Sequence, residues 1–444
     1  LEKIDKIVLN EQYEFLKSTV DEEIIDNKIN LIFNISESNE KFYVEKINIF
    51  GNNITQEDVI RNNLIVDEGD ALNELLQKKT INSIKALNFF KNVKSEIITG
   101  SDSTKKIINI FVEEKPTGEI TAGAGLGTSG GTLGFSVKEN NFMGRGIEFG
   151  SDLSLSGNSV KGMFSVDNPN YNGSNRSLNF SAQNTVTDNL QDYGYKSNKT
   201  GISIGTGLEY YDDLYLITGI STSTEKLVTD SKASASIRKQ EGSYFDTFFN
   251  YTVNYDKRNQ SYMPSEGYKS KFTQNIPLIS DAYTFTNTYE YQLYDKWLNE
   301  NVASYKFYTS VTTALNDDKV RLSDRLYLPS RKLRGFEAGK IGPKDGADFV
   351  GGNYSVALNV SSTLPQILPS LQSTNFSIYF DAANVWGVDY NESINNGSKI
   401  RSSIGLAVDI SSPIGPLSFS LSEVITKNST DITEVFRFNL GTTF

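Results

Sequence analysis

The sequence predicts an α+β domain followed by a sixteen-stranded antiparallel transmembrane β-barrel. Three observations carry that expectation. The texture changes abruptly near Pro116, hydrophobicity then follows a period of two, and sixteen strand-length segments can be marked off after it. An even number suits a closed bacterial barrel. Mean hydropathy is only −0.37, and no run approaches the ~20 apolar residues of a membrane helix. A spanning strand needs only ~9–11 residues with alternate ones apolar, so a barrel stays polar on average. A soluble β-sandwich or β-helix alternates too. The strand number, the 23 Tyr and 26 Phe and the terminal aromatic weigh against both.

Residues 1–41 read as the C-terminal part of a unit like the one that follows. A helix leads to Y-E-F-L-K-S-T-V, then N-K-I-N-L-I-F-N-I-S-E parallels K-K-I-I-N-I-F-V-E-E at 105–114. Such a repeat, with Leu1 in first position and no signal peptide, predicts a fragment or mature segment whose array extends upstream. Residues 42–116 read as a complete β-α-α-β-β unit. Its first strand sets Phe42, Val44 and Lys46 against Tyr43, Ile47 and Ile49 and ends in a Gly-Asn turn. Thr55 is the expected N-cap of a first helix, with Asp58 three residues on. A second helix is expected over 73–90, with Leu75, Leu76, Ile81, Ile84 and Leu87 on its apolar face, and strands follow at 93–99 and 107–114.

In the barrel, 117–444, strands are predicted at 117–127, 131–140, 146–157, 160–167, 176–187, 200–210, 214–224 and 246–258. Eight more follow at 267–277, 282–297, 301–315, 350–364, 374–386, 400–411, 415–424 and 434–444. The alternation is clean late in the chain: Ile404, Leu406, Val408 and Ile410 oppose Ser403, Gly405, Ala407 and Asp409. Lipid offers no partners to backbone N–H and C=O groups, so a spanning sheet must close on itself.

The residue inventory narrows the chemistry. There are no histidines and no cysteines, which removes Ser-His and Cys-His nucleophiles, imidazole or thiolate metal sites, disulfides and thiol redox work. A carboxylate-only hydrolase or a calcium site stays open in principle, but no enzyme activity and no cofactor are expected. The net charge of −11 argues against a nucleic-acid partner, whose phosphates call for a basic surface.

Three stretches stand out. R-K-L-R-G-F-E-A-G-K-I-G-P at 331–343 lies in the long connection 316–349, a length that is usually functional or disordered. Leu333, Arg334, Gly335 and Phe336 with Ile341, Gly342 and Pro343 predict a compact loop. The Arg334 fork needs a carboxylate or carbonyl partner, and Asp381 on the lumen face of 374–386 is the candidate. An ordinary exposed loop arginine is the plainer reading. At the C-terminus, Phe436, Phe438, Leu440 and Phe444 share one face, while Arg437, Asn439, Gly441 and Thr443 share the other. In the first strand, Gly118, Gly123, Gly125 and Gly127 weaken packing just where it must close against the last. A weak seam there could open sideways and offer its edge. Relief of crowding in the lumen would also account for the glycines.

With Gly351-Gly352-Asn353, F-D-A-A-N-V-W (380–386), S-P-I-G-P-L-S-F-S (412–420) and the ending F-R-F-N-L-G-T-T-F, these motifs resemble the BamA family of outer-membrane protein assembly factors. The β-α-α-β-β units resemble polypeptide-transport-associated domains, and the likeness covers essentially the whole chain. It implies a barrel in the bacterial outer membrane of a Gram-negative organism, with the N-terminal domains in the periplasm. It further implies that the Arg334 loop folds into the lumen and that a lateral gate lies between first and last strands. Expected partners are unfolded outer-membrane proteins, periplasmic chaperones, assembly lipoproteins and membrane lipid. Two departures stand out. A glycine usual after the lumen aspartate is replaced in Asp381-Ala382-Ala383, and the place of a second acidic partner for the arginine falls on Ser361. The expected function is an outer-membrane protein insertase. A translocation channel of the two-partner secretion or autotransporter-assembly type shares the same parts. A barrel enzyme lacks a base, and a passive porin has no reason to carry soluble repeats.

Overall fold

The computed structural model describes residues 16–25, 28–37, 42–72, 74–127, 130–261, 263–297, 301–365, 374–394, 399–412 and 415–440. They divide into two compact units, one holding residues up to 119 with 139–149, the other holding the rest.

In the first unit, β1 (Leu16–Ile25) and β2 (Lys28–Glu37) pair antiparallel from Leu16 opposite Glu37 to Ile25 opposite Lys28. The helix expected ahead of them lies outside the described residues. Then come β3 (Tyr43–Phe50), helices Glu57–Arg61 and Glu74–Ala86, β4 (Phe90–Thr99) and β5 (Lys105–Glu114). The sheet order is β3-β5-β4, with β3 parallel and β4 antiparallel to β5. Val44, Ile47, Ile60, Ile84, Phe89, Phe90, Ile108, Ile110 and Val112 form its core.

Three local expectations need correction here. A bulge between Val44 and Lys46 shifts the phase of β3, so Val44 and Ile47 are both buried although an even spacing does not join them. The second helix stops at Ala86, because Asn88 takes a left-handed φ of 60° and turns Phe89 and Phe90 into the core. Thr55 does not cap the first helix; Gln56 does, without a side-chain bond. Thr55 is buried and otherwise engaged: its N–H donates to Glu114 Oε1 at 2.6 Å, and its hydroxyl accepts from Asn141 Nδ2 at 2.9 Å. Within this unit Gly144, at φ +71°, lies so close to the Ile54 carbonyl that a Cβ would stand 1.9 Å from its oxygen. Only glycine fits there on both counts.

The barrel closes with sixteen strands. They are β6 (Gly118–Gly127), β7 (Gly130–Phe142), β8 (Ile147–Ser156), β9 (Ser159–Asn168), β10 (Arg176–Asn189), β11 (Tyr195–Tyr211), β12 (Leu214–Thr229) and β13 (Gly242–Asp256). After β14 (Gly267–Ser280), β15 (Thr284–Trp297) and β16 (Asn301–Ala314), the long connection holds the short hairpin β17 (Lys344–Asp345) and β18 (Asp348–Phe349). The wall resumes with β19 (Tyr354–Thr363), β20 (Thr374–Trp386), β21 (Arg401–Ser412), β22 (Gly415–Thr426) and β23 (Phe436–Leu440).

The pleat sorts side chains by solvent. Ile378, Phe380, Ile404 and Leu406 are exposed on the outside, whereas Tyr379, Asp381, Ser403 and Ala407 are buried on the inside. Three strands run longer than their hydrophobic pattern suggests: β11 starts at Tyr195, β12 extends to Thr229 and β13 starts at Gly242. The added segments look like loop because polar and apolar residues mix on their inward face, Ser197 and Glu225 beside Tyr195 and Leu227, but Ser197 donates to Glu225 across β11 and β12 and the ladder continues. Conversely, β19 begins at Tyr354, four residues later than expected; Gly351 at φ +65° and the Asn353 side chain, bonded to Arg325, hold the preceding stretch in a turn.

Candidate functional site

The Arg334 loop lies against the inward face of β19 to β22. Leu333, Phe336 and Ile341 are buried with Leu328 against Ala357, Ala383 and Val385, so an apolar cluster seats the loop before any charge is considered. Gly335 needs glycine twice. Its φ is +87°, and a Cβ would meet Ser422, Ser403 and Val424 at 3.1–3.3 Å. Gly342, at φ +96°, lies as closely on Val385, and the Pro343 carbonyl accepts from Val350 N–H.

The structure brings Arg334 and Asp381 together. The guanidinium donates through Nε to Asp381 Oδ2 and through Nη2 to Oδ1, both at 2.7 Å, and the Arg334 backbone N–H adds a bond at 3.0 Å. The carboxylate is fully buried. Its fourth donor is Asn359 Nδ2, at 2.9 Å, an amide that also reaches the Lys332 carbonyl. Below the guanidinium lies the Tyr379 ring, 3.3 Å from Cζ to centroid. The tyrosine hydroxyl bonds Ser422 across Gly405, where a Cβ would stand 2.4 Å from that oxygen. Ser403 Oγ donates to the Arg334 carbonyl at 2.5 Å. Position 361 gives Arg334 no second partner: Ser361 bonds Ser304, and Asn359, one inward position away, steadies Asp381 and not the arginine. Sequence reasoning missed Asn359 and Ser403 because a neutral polar residue on a lumen face carries no distinguishing mark.

Further anchors were also not foreseen. Arg321 pairs with Asp246 at 2.6 Å and Asp324 at 2.9 Å, all inside the barrel wall and its loops. Arg325 pairs with Asp389 and donates to Asn353. These buried guanidiniums hold the root of the connection, as Arg334 holds its tip. A pattern of Arg with a distant Asp is invisible in one sequence.

At the seam the last strand meets the first antiparallel at Asn439–Gly127 and Leu440–Leu126; residues 128–129 and 441–444, on either side of these pairs, lie outside the described residues. Ile120 and Leu126 are exposed; Gly123 and Gly125 lie on the opposite face, and Gly118 opens the strand. Phe436 and Phe438 stack on one face, centroids 6.2 Å apart. The Leu440 backbone is paired, while Gly441 and Phe444 lie outside the described residues.

A family model described as Omp85 superfamily domain matches residues 141–444, and one described as surface antigen variable number repeat, the POTRA domain, matches 42–115. The chain belongs to the Omp85 superfamily. As an Omp85 barrel it belongs in the bacterial outer membrane, with its repeat domain in the periplasm. It is similar to the outer membrane protein assembly factor BamA of Neorickettsia risticii, at 24% identity over 98% of this chain and 60% of that one. The BamA of Neisseria meningitidis serogroup B is 23% identical, over 92% and 57%. The chain thus spans about three-fifths of the length of these relatives. Among solved structures, BamA from Haemophilus ducreyi lacking POTRA domains 1–3 superposes with a TM-score of 0.82 at 23% identity, over 100% of this chain and 92% of that one. CdiB from Acinetobacter baumannii is similar in fold more distantly, with a TM-score of 0.57 at 13% identity over 99% of this chain and 81% of that one.

Proposed function

We propose that this protein folds and inserts other β-barrel proteins into the outer membrane through a lateral gate between β6 and β23. The work is non-covalent. The observation that carries the reading is the glycine-rich first strand, with Gly118, Gly123, Gly125 and Gly127, closing against β23 beside a firmly anchored loop. Glycine weakens strand interiors, so a seam built on this strand parts more readily than its neighbours. Once parted, backbone groups facing lipid cost several kcal/mol each when unsatisfied. An incoming terminal strand relieves that cost by β-augmentation, which favours a β-strand client over any other ligand. The neighbouring wall supports the same reading: β8 and β9 have 10 residues each against 17 in β11. At ~3.4 Å per residue, a shorter wall fits a locally thinned bilayer that eases insertion. Unfolded outer-membrane proteins are the proposed clients, with periplasmic chaperones and assembly lipoproteins as partners of the soluble repeats.

Depleting the protein from its cells provides the test. Loss of many barrel proteins from the outer membrane, with outer-membrane lipoproteins retained, is the expected result. Loss of a single secreted partner with barrels intact would instead establish a polypeptide translocation channel and reject the insertase.

A further inference from the structure

We propose that Arg437, on the last strand, is a positioning residue that couples the state of the seam to the state of the Arg334 loop. This rests on the reading that the seam opens.

Arg437 lies on the inward face of β23, opposite in phase to Phe436 and Phe438, and is buried. Its Nη2 donates to the Phe336 carbonyl at 2.7 Å, while Nε and Nη2 both reach Glu434 Oε2, at 2.9 and 2.5 Å. Glu434 completes the joint from the other side: its own backbone N–H donates to the Gly335 carbonyl at 3.0 Å. The pairing continues outward. Phe336 forms an antiparallel bridge with Thr433, Glu337 N–H donates to the Ile432 carbonyl, and Ile432 N–H donates to that of Lys340. Residues 432–437 and 335–340 therefore form one hydrogen-bonded body that includes the start of the last strand.

The tip of the loop is thus held on two sides at adjacent residues. Asp381 of β20 grips Arg334, and Arg437 of β23 grips Phe336. Between them stands Gly335, packed against Ser422, Ser403 and Val424. If β23 moves, one of two things follows. Arg437 lets go of Phe336 and leaves a buried, charged donor short of an acceptor, which is expensive. Otherwise the strand drags residues 335–336 and strains the Arg334–Asp381 pair beside them. Either way, parting of the seam and release of the loop share one free energy, and the linkage acts in both directions.

The chain has no cysteines, so Leu126→Cys with Leu440→Cys, a facing register pair, gives a clean reporter of seam pairing. The initial rate of disulfide formation is measured on the full chain in lipid vesicles without client. Four backgrounds are compared: none, Arg334→Ala, Arg437→Gln, and both. Each single substitution should slow crosslinking by about tenfold, within the ~5–150-fold span of ordinary coupling energies. The double variant should be no slower than the slower single. Effects that multiply would overturn the coupling, as would an unchanged rate in Arg437→Gln. Should Arg437→Gln fail to fold, judged by loss of heat-modifiable mobility, Glu434→Gln replaces it in the same cycle with the same expectation. Client assembly is scored on the same vesicles. Multiplying rates with assembly still lowered by Arg334→Ala would remove this inference alone, whereas coupled rates without assembly in the unsubstituted protein would remove the insertase reading alone.

Discussion

Asp381 receives four N–H donors and no solvent, so what it contributes is clearest from what its loss leaves behind. Arg334→Ala strands a buried carboxylate, and Asp381→Asn strands a guanidinium. Each should weaken the seating of the loop by ~3–5 kcal/mol and lower client assembly at least tenfold, with the barrel itself still inserted and heat-modifiable. Arg334→Lys should rescue little, because a point charge cannot make the two-bond fork. Normal client levels in either variant would contradict the anchoring role. In the soluble repeat, Glu114 offers a pH test. Burial favours its neutral form, but the backbone N–H groups of Asn53, Ile54 and Thr55 outweigh it and hold the carboxyl below its ordinary 4.5. A depressed pKa contributes stability that is present above the unfolded value and lost as pH falls through the folded one. Amides 53–55 should therefore keep their hydrogen-exchange protection below pH 4.5. Glu114→Gln should lower that protection at pH 7 and abolish its acid dependence; identical protection in the two proteins would refute the assignment. Arg334 could be read from sequence as needing an anion, since a guanidinium brings that demand with it. Its helpers Asn359 and Ser403 could not, because their bonds exist only once β19 and β21 are side by side.

Strands whose two faces differ in polarity were legible, and their ends were not. In β21, Ile404 and Leu406 against Ser403 and Ala407 mark a wall with lipid on one side, whatever the neighbours do. The first residues of β11 and the last of β12 are invisible by that measure, since Ser197 and Glu225 bury polar groups inside. β3 shows the opposite failure: one bulge between Val44 and Lys46 undoes an alternation that otherwise reads correctly. The glycines of β6 carry a dynamic expectation at this scale. Amides of β6 should exchange faster than those of β11 and β12, by orders of magnitude, because glycine weakens the strand that must close the ring. Equal protection around the ring would argue against a weak seam. Gly335→Ala tests the loop as an element. Forcing a side chain to φ +87° costs roughly 1–2 kcal/mol, and the Cβ also meets the walls of β21 and β22. Assembly should fall as it does for Arg334→Ala, although no charge is removed.

The whole molecule joins a soluble repeat to a closed sheet, and the sequence announces that division at Pro116 through texture alone. Sixteen strands, an even count and no cysteine or histidine were all readable before any fold was seen. Closure was expected too, since lipid tolerates no open edge, but its register was not, because it depends on how residues 118–127 and 436–440, more than three hundred positions apart in the chain, find each other. They do so at two described register pairs. A glycine-rich first strand suits a barrel that, as proposed, stays sealed most of the time yet parts for a client strand. Locking Leu126→Cys to Leu440→Cys by oxidation, in vesicles supplied with an unfolded barrel client, tests the claim directly. The account predicts that assembly stops when the crosslink forms and returns when reductant is added. Undiminished assembly by fully crosslinked protein would contradict it.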